Sequence, residues 1–326
     1  MRFRFRSLII LVVAALAVVY FITDRKTSSA SEYFDSLPLA LIDSGDDDPF
    51  EVHGVQGAFV MLDTATGRLQ TSNRDLATTG FRPQSMFKII HALFGLRTGA
   101  IIGDGRIEWK PTVMNPDKPL DSYFVKQWGE SLTFAQTMQY SCLPFFQHVV
   151  APQIGTERMT ELLAEFDYGN NDISAGIDQF WIEGPFRITP LEQVRFMFRL
   201  LADDFNVTQV HKKKLWDPLK VQERDLLSDK PDPVYQRDVP VFAKTGSGYQ
   251  DGHVIGWHAG FAAPNGDYLN PVAPRYIFTT LVRSKERFPD KPTGNDLLKW
   301  RAEFSRIIPL RPRITRDFLS RLGALR

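Results

Sequence analysis

Residues 82–91 read RPQSMFKIIH, and the placement of Ser85 and Lys88 within them decides how the rest of the chain is read. Positions three apart share one face of a helix, so the hydroxyl and the amine are expected side by side. Pro83 stands where a helix prefers to start, because its fixed φ and missing N–H cost nothing in the first turn. Ile89, Ile90, Ala92, Leu93 and Leu96 follow, an apolar set that makes this helix core-facing on most sides. A lysine directed into such surroundings either escapes to solvent along its stem or is held there for use. A lone Ser-x-x-Lys does not separate these outcomes, since an N-cap serine beside a surface lysine gives the same letters.

A second motif separates them. Lys244-Thr245-Gly246 is the only K-T-G in the sequence, it ends a predicted strand, and Ser85 is the only serine with a lysine three residues on. A serine hydroxyl is a poor nucleophile until a base removes its proton. Lys88 serves as that base only when neutral, and both burial and the positive end of a helix push a lysine towards neutrality. The same helix start offers backbone N–H groups to the oxyanion of a tetrahedral intermediate. A Ser/Lys pair at a helix start with a late K-T-G is the layout of the serine penicillin-recognising proteins.

The stretches between these motifs predict the architecture. GAFVMLDTATGRLQTSN (57–73) alternates apolar and polar residues around a turn, the pattern of a β-hairpin. LTFAQTMQYSCLPFFQHVV (132–150) has helical spacing interrupted near Pro144, which places YSCL at the junction of two helical pieces. TERMTELLAEF (156–166) predicts an amphipathic helix capped by Thr156. Residues 166–188 are rich in Gly, Asn and Asp and read as a long functional loop. TPLEQVRFMFRLLAD (189–203) restarts helix with Thr189 as cap, Pro190 in the first turn and Glu192 closing a capping box. PVFAKTG, HVIGWHAGF and RYIFTTLVR give three late strands, and NDLLKWRAEFSRII a closing amphipathic helix. The expected fold is therefore α/β (α+β). An antiparallel sheet is formed by the N- and C-terminal segments, flanked by helices, with a mostly helical insertion.

With 326 residues, 43% apolar and 24% charged, the chain has the composition of a folded domain with a sizeable core. A net charge of +1 gives no case for a polyanionic partner, so no nucleic acid is expected. The six histidines show no metal-ligand spacing, no metal is expected, and the single cysteine, Cys142, reads as a small buried hydrophobe. HKKK (211–214) and the C-terminal arginines read as solvated faces. MRFRFRSLIILVVAALAVVYFITDRK (1–26) has a basic start and an uncharged run from Leu8 to Ile22, the layout of a signal anchor or signal peptide. Its arginines favour a cytoplasmic N-terminus, which places the remainder in the bacterial periplasm, held to the inner membrane or exported after cleavage. The expected organisation is 1–26 as this segment, 27–54 as a linker, 55–308 as the catalytic domain, and 309–326 as a basic C-terminal tail.

Over most of residues 55–290 the chain resembles the class D (oxacillinase-type) serine β-lactamases and the related penicillin-sensor domains. YSCLPFFQ (140–147) resembles their Ser-x-Val motif, FDYGN (166–170) their Tyr-Gly-Asn element, and residues 172–196 the loop and helix around their active-site tryptophan. AKTGSG (243–248) and IGWHAGF (255–261) resemble the late strands. The resemblance implies Ser85 as nucleophile, Lys88 carboxylated by carbon dioxide as general base, Trp181 stabilising that carbamate, and Ser141 relaying a proton to the leaving nitrogen. It further implies that Lys244, Thr245, Gly246 and Ser247 bind the substrate, a β-lactam or a peptidoglycan-derived small molecule. The oxyanion hole would be the N–H groups of Ser85 and Ser247, and no separate cofactor is implied. Met86 stands where the family has Thr, Leu143 where it has Val, and Ile182 where it has Leu. Leu143, beside the substrate, and Ile182 are the apolar gate to the lysine. Arg283 and Arg287 are candidates for a carboxylate-binding arginine. The implied activity is β-lactam hydrolysis through an acyl-enzyme. A penicillin sensor or a D,D-peptidase/transpeptidase that deacylates slowly is the alternative.

Overall fold

The computed structural model describes residues 29–325 apart from 44, 103–105, 108–127, 129–130, 226–228 and 290–291. The expected anchor at 1–26 lies outside the described residues, among which no helix is long and apolar enough to cross a membrane.

One six-stranded sheet organises the molecule. Its strands are β1 (Leu39–Leu41), β2 (Gln56–Asp63), β3 (Arg68–Thr71), β6 (Val241–Gln250), β7 (His253–Ala262) and β8 (Tyr276–Arg283). Their order is β1-β3-β2-β8-β7-β6, antiparallel throughout except for the parallel β1/β3 pair. β4 (Arg106–Ile107) and β5 (Leu132–Thr133) form a separate ladder in the insertion. The N- and C-terminal segments thus meet in one largely antiparallel sheet, as expected. Side chains alternate across a strand, so Ala58, Val60 and Leu62 of β2 enter the larger core while Phe59 and Met61 enter the smaller one.

Helices cover both faces. On one lie α2 (Lys88–Thr98), α3 (Phe134–Gln139), α4 (Thr156–Phe166), α5 (Pro190–Leu201) and α6 (Gln209–Trp216), preceded by α1 (Ala30–Ser36). On the other lies α7 (Gly294–Arg321), a 28-residue helix packed on β7 and β8. α5 starts with the predicted capping box of Thr189 and Glu192. At α4 the cap is Gly155 rather than Thr156, because the positive-φ, extended backbone needed to enter that helix (φ 78°, ψ 160°) suits glycine.

Two expected boundaries are corrected. The linker at 27–54 carries α1 and β1; Phe34 is buried beside Phe198 of α5, and Arg195 of α5 bridges to Asp35. Its acidic stretch ends in a turn capped by Asp48, which seats Phe50 against Phe318. The tail from 309 is the second half of α7. Its basic composition hid an apolar stripe of Ile307, Leu310, Ile314 and Phe318, all buried on the sheet.

Candidate functional site

The turn that carries Ser85 is held from two directions. A single 3-10 turn, Gln84–Phe87, leads into α2. Gln84 has φ 53°, a conformation that a branched-Cβ-free side chain tolerates only at a cost. Its N–H donates to the Trp181 carbonyl at 3.0 Å and its Nε2 to the Ile182 carbonyl at 3.2 Å, so the 171–188 loop fixes it. From the sheet side, Gln250 Oε1 accepts from the Arg82 N–H at 2.8 Å, and the Trp257 indole donates to the Arg82 carbonyl at 2.9 Å. β6 presses closely on this turn. A Cβ on Gly246 would lie 3.1 Å from both the Met86 nitrogen and the Pro83 carbonyl oxygen, so a larger residue would push the strand and the turn apart.

Ser85 and Lys88 meet as their spacing predicted, with Lys88 Nζ donating to Ser85 Oγ at 2.9 Å. Lys88 is fully buried, and desolvation lowers its pKa from 10.5 to about 7, with the Cys142 thiol acting in the opposite sense. Phe146, at the start of a π-helical turn, puts its ring 5.6 Å from Nζ. Trp181 stacks on Phe87 at 5.4 Å and 15°. Its Nε1 is buried with no hydrogen-bond partner. The His91 ring meets Trp181 edge-on at 5.0 Å, and both of its nitrogens are likewise unpartnered. Ser141 sits at the YSCL junction with φ 54°, its Oγ buried and unpartnered, next to the wholly buried Cys142. Burial pushes that thiol up to about 11. Leu143 and Ile182 are half-buried beside these groups.

Buried donors without acceptors call for an explanation. The Trp181 indole N–H and the Ser141 hydroxyl are two such groups.

The Lys-Thr-Gly segment lies on β6, at the edge of the sheet. Lys244 is buried and donates to the Thr245 carbonyl at 2.9 Å, while Thr245 and Ser247 are half-buried. Desolvation holds the Lys244 pKa well below 10.5, and Lys88 and Arg311 push the same way against Asp225. Sequence reasoning missed Arg311. From α7 it donates to the Gly246 carbonyl at 2.6 Å and to Ser247 Oγ. The two arginines expected near this place are engaged elsewhere, Arg283 with Gln56 and Arg287 with the Asp251 carbonyl. The available signal was an arginine inside the 307–318 apolar stripe. Tyr168, Gly169 and Asn170 secure the base of the loop: Tyr168 donates to Gln193 Oε1 at 2.8 Å, and Asn170 brackets Pro185 and Arg187.

A helix-start serine hydrogen-bonded to a buried lysine, pressed by a Lys-Thr-Gly edge strand on a sheet covered on both faces, defines a serine penicillin-recognising scaffold. The chain belongs to the penicillin binding protein transpeptidase domain family, whose model matches residues 57–288, and within it to the class D β-lactamase/transpeptidase-like superfamily. It is 35% identical over 166 residues to β-lactamase OXA-5 of Pseudomonas aeruginosa, an alignment covering 50% of this chain and 58% of that protein. The chain thus spans little more than half the length of that relative. The class D β-lactamase YbXI from Nostoc superposes with a TM-score of 0.63 and 26% identity, covering 84% of this chain and 97% of that one. The C-terminal domain of the Bacillus licheniformis BlaR penicillin-receptor shares the fold, with a TM-score of 0.67 at 22% identity over 87% of this chain and 96% of that one.

Proposed function

We propose that this domain is a class D serine β-lactamase, opening the lactam ring through an acyl-enzyme on Ser85. One observation carries the reading: a wholly buried lysine hydrogen-bonded at 2.9 Å to a serine. A pKa of about 7 leaves Lys88 able to accept the proton that Ser85 Oγ loses as it attacks the lactam carbonyl. The oxyanion would be met by the backbone N–H groups of Ser85 and Ser247. Ser141 would pass a proton to the departing ring nitrogen. Lys244, Thr245 and Ser247, braced from behind by Arg311, would hold the substrate carboxylate, with Gly246 keeping the strand close. Carbon dioxide added to Lys88 Nζ would supply an anionic base for hydrolysis of the acyl-enzyme, and Trp181 Nε1 is the donor that would hold it. The basic start and apolar run at 1–26 support an anchored or exported, periplasmic domain.

A second reading rests on Leu143 and Ile182, which the family resemblance puts at the gate to Lys88, and on the fold shared with a penicillin receptor. If they exclude water, the acyl group stays and the domain reports penicillins instead of destroying them. Incubating the full chain with a chromogenic cephalosporin in bicarbonate buffer separates the two. Sustained turnover supports the hydrolase, whereas a single burst ending in stable acyl-protein would sink it and leave the sensor.

A further inference from the structure

His91 is a buried polar side chain that the mechanism above leaves unused. It lies one turn after Lys88 on α2, so both side chains project to the same face. The ring is fully buried, 5.3 Å from Phe87, 5.2 Å from Phe146 and 5.0 Å from Trp181, measured between ring centroids. Phe146 is also the ring that faces Lys88 Nζ, 5.6 Å away. Neither ring nitrogen has a hydrogen-bond partner. A leucine would fill this aromatic cage without leaving a buried donor and acceptor unmatched, a mismatch that costs stability. Desolvation, reinforced by Lys88, lowers the imidazole pKa to about 3, so the ring stays neutral and carries one N–H and one bare nitrogen.

We propose that His91 is a positioning residue for the general base, donating its ring N–H to the carboxylate carried by Lys88. The inference rests on the carboxylated-lysine reading. Trp181 and His91 would then bind that carboxylate with two neutral donors in an apolar cage, and His91 ceases to be an unmatched group. The modification balances as follows. The neutral Nζ attacks carbon dioxide, an N–C bond forms, one C–O π pair becomes the carboxylate charge, and one amine proton leaves to water. Because His91 is too weakly basic to retain that proton, its part is to hold the product by hydrogen bonding.

The test is titration of the full chain with 13C-labelled bicarbonate, reading the Lys88 carbamate carbon by NMR, without substrate. The wild type should show the signal. His91→Leu and His91→Met, which lack a donor, should raise the half-saturating bicarbonate concentration on the order of tenfold, the ratio that one hydrogen bond to a charged group sustains. His91→Asn, which keeps an N–H, should recover most of the difference, whereas a purely space-filling role would leave this midpoint unmoved in the apolar variants. A wild-type signal with unchanged midpoints in His91→Leu and His91→Met overturns the role of His91 alone. Absence of the signal in the wild type overturns the carboxylated-lysine reading itself.

Discussion

Replacing Lys88 by methionine removes a buried amine while keeping a linear apolar side chain, and the consequence for stability follows from the burial of Nζ. In the unfolded chain the amine titrates near 10.5, and in the fold near 7. At about 1.4 kcal/mol per pH unit, the buried ammonium is destabilising by about 5 kcal/mol when protonated in both states. The sign is the reverse of an ion-paired lysine. Between pH 7 and 10.5 the unfolded chain binds a proton that the folded one does not, so wild-type stability rises with pH across that window. Lys88→Met abolishes this rise. In buffer freed of carbon dioxide, urea unfolding should find the variant more stable near pH 7, with its advantage shrinking by about 2 kcal/mol by pH 9. Adding bicarbonate should narrow the gap at constant pH, because a ligand bound only by the folded state stabilises it. The pH slope isolates the amine from any packing gained by methionine. An advantage that stays constant from pH 7 to 9 would refute the claim that the fold holds this lysine near neutrality.

Three further substitutions probe the rest of the site. Trp181→Phe keeps the stack on Phe87 but loses the unpartnered indole N–H; deacylation followed by mass should slow about ten- to a hundredfold, and acylation less, in line with one hydrogen bond to a charged group. Gly246→Ala puts a methyl 3.1 Å from the Met86 nitrogen and the Pro83 carbonyl; the forced shift of β6 should lower the acylation rate about tenfold and cost about 1–3 kcal/mol in denaturant unfolding. Arg311→Met strips the Gly246 carbonyl and Ser247 hydroxyl of their guanidinium partner. KM for a carboxylate-bearing penicillin should rise about tenfold with kcat less affected, as expected for loss of ground-state binding.

Local signals made much of this molecule legible. The alternation in 57–73 and the strand-like composition of the three late segments specified the sheet, because these are properties of each strand alone. The capping box at Thr189 marked α5 for the same reason. Ser85 and Lys88 were readable from a spacing of three, and the structure places them in contact. What escaped depends on contacts between distant segments. Arg311 reaches Ser247 from 64 residues away in sequence, and its arginine-rich neighbourhood suggested a solvated tail. Lys212, read as part of a solvated HKKK run, turns inward and bonds Asp203 at 2.7 Å, since an amphipathic helix directs one of three consecutive lysines towards the body. His91 carried no spacing that marked it; its interest arises only from the aromatic rings that the fold assembles around it.

Ser85 as the nucleophile and Lys88 as its activator are the centre of the proposed chemistry. The full chain, treated briefly with a penicillin, quenched in acid, digested and mapped by mass spectrometry, tests this directly. One penicilloyl group is expected on Ser85, absent in Ser85→Ala and formed far more slowly in Lys88→Met. A penicilloyl group on another residue, or labelling of Ser85 at the same rate without Lys88, would contradict it.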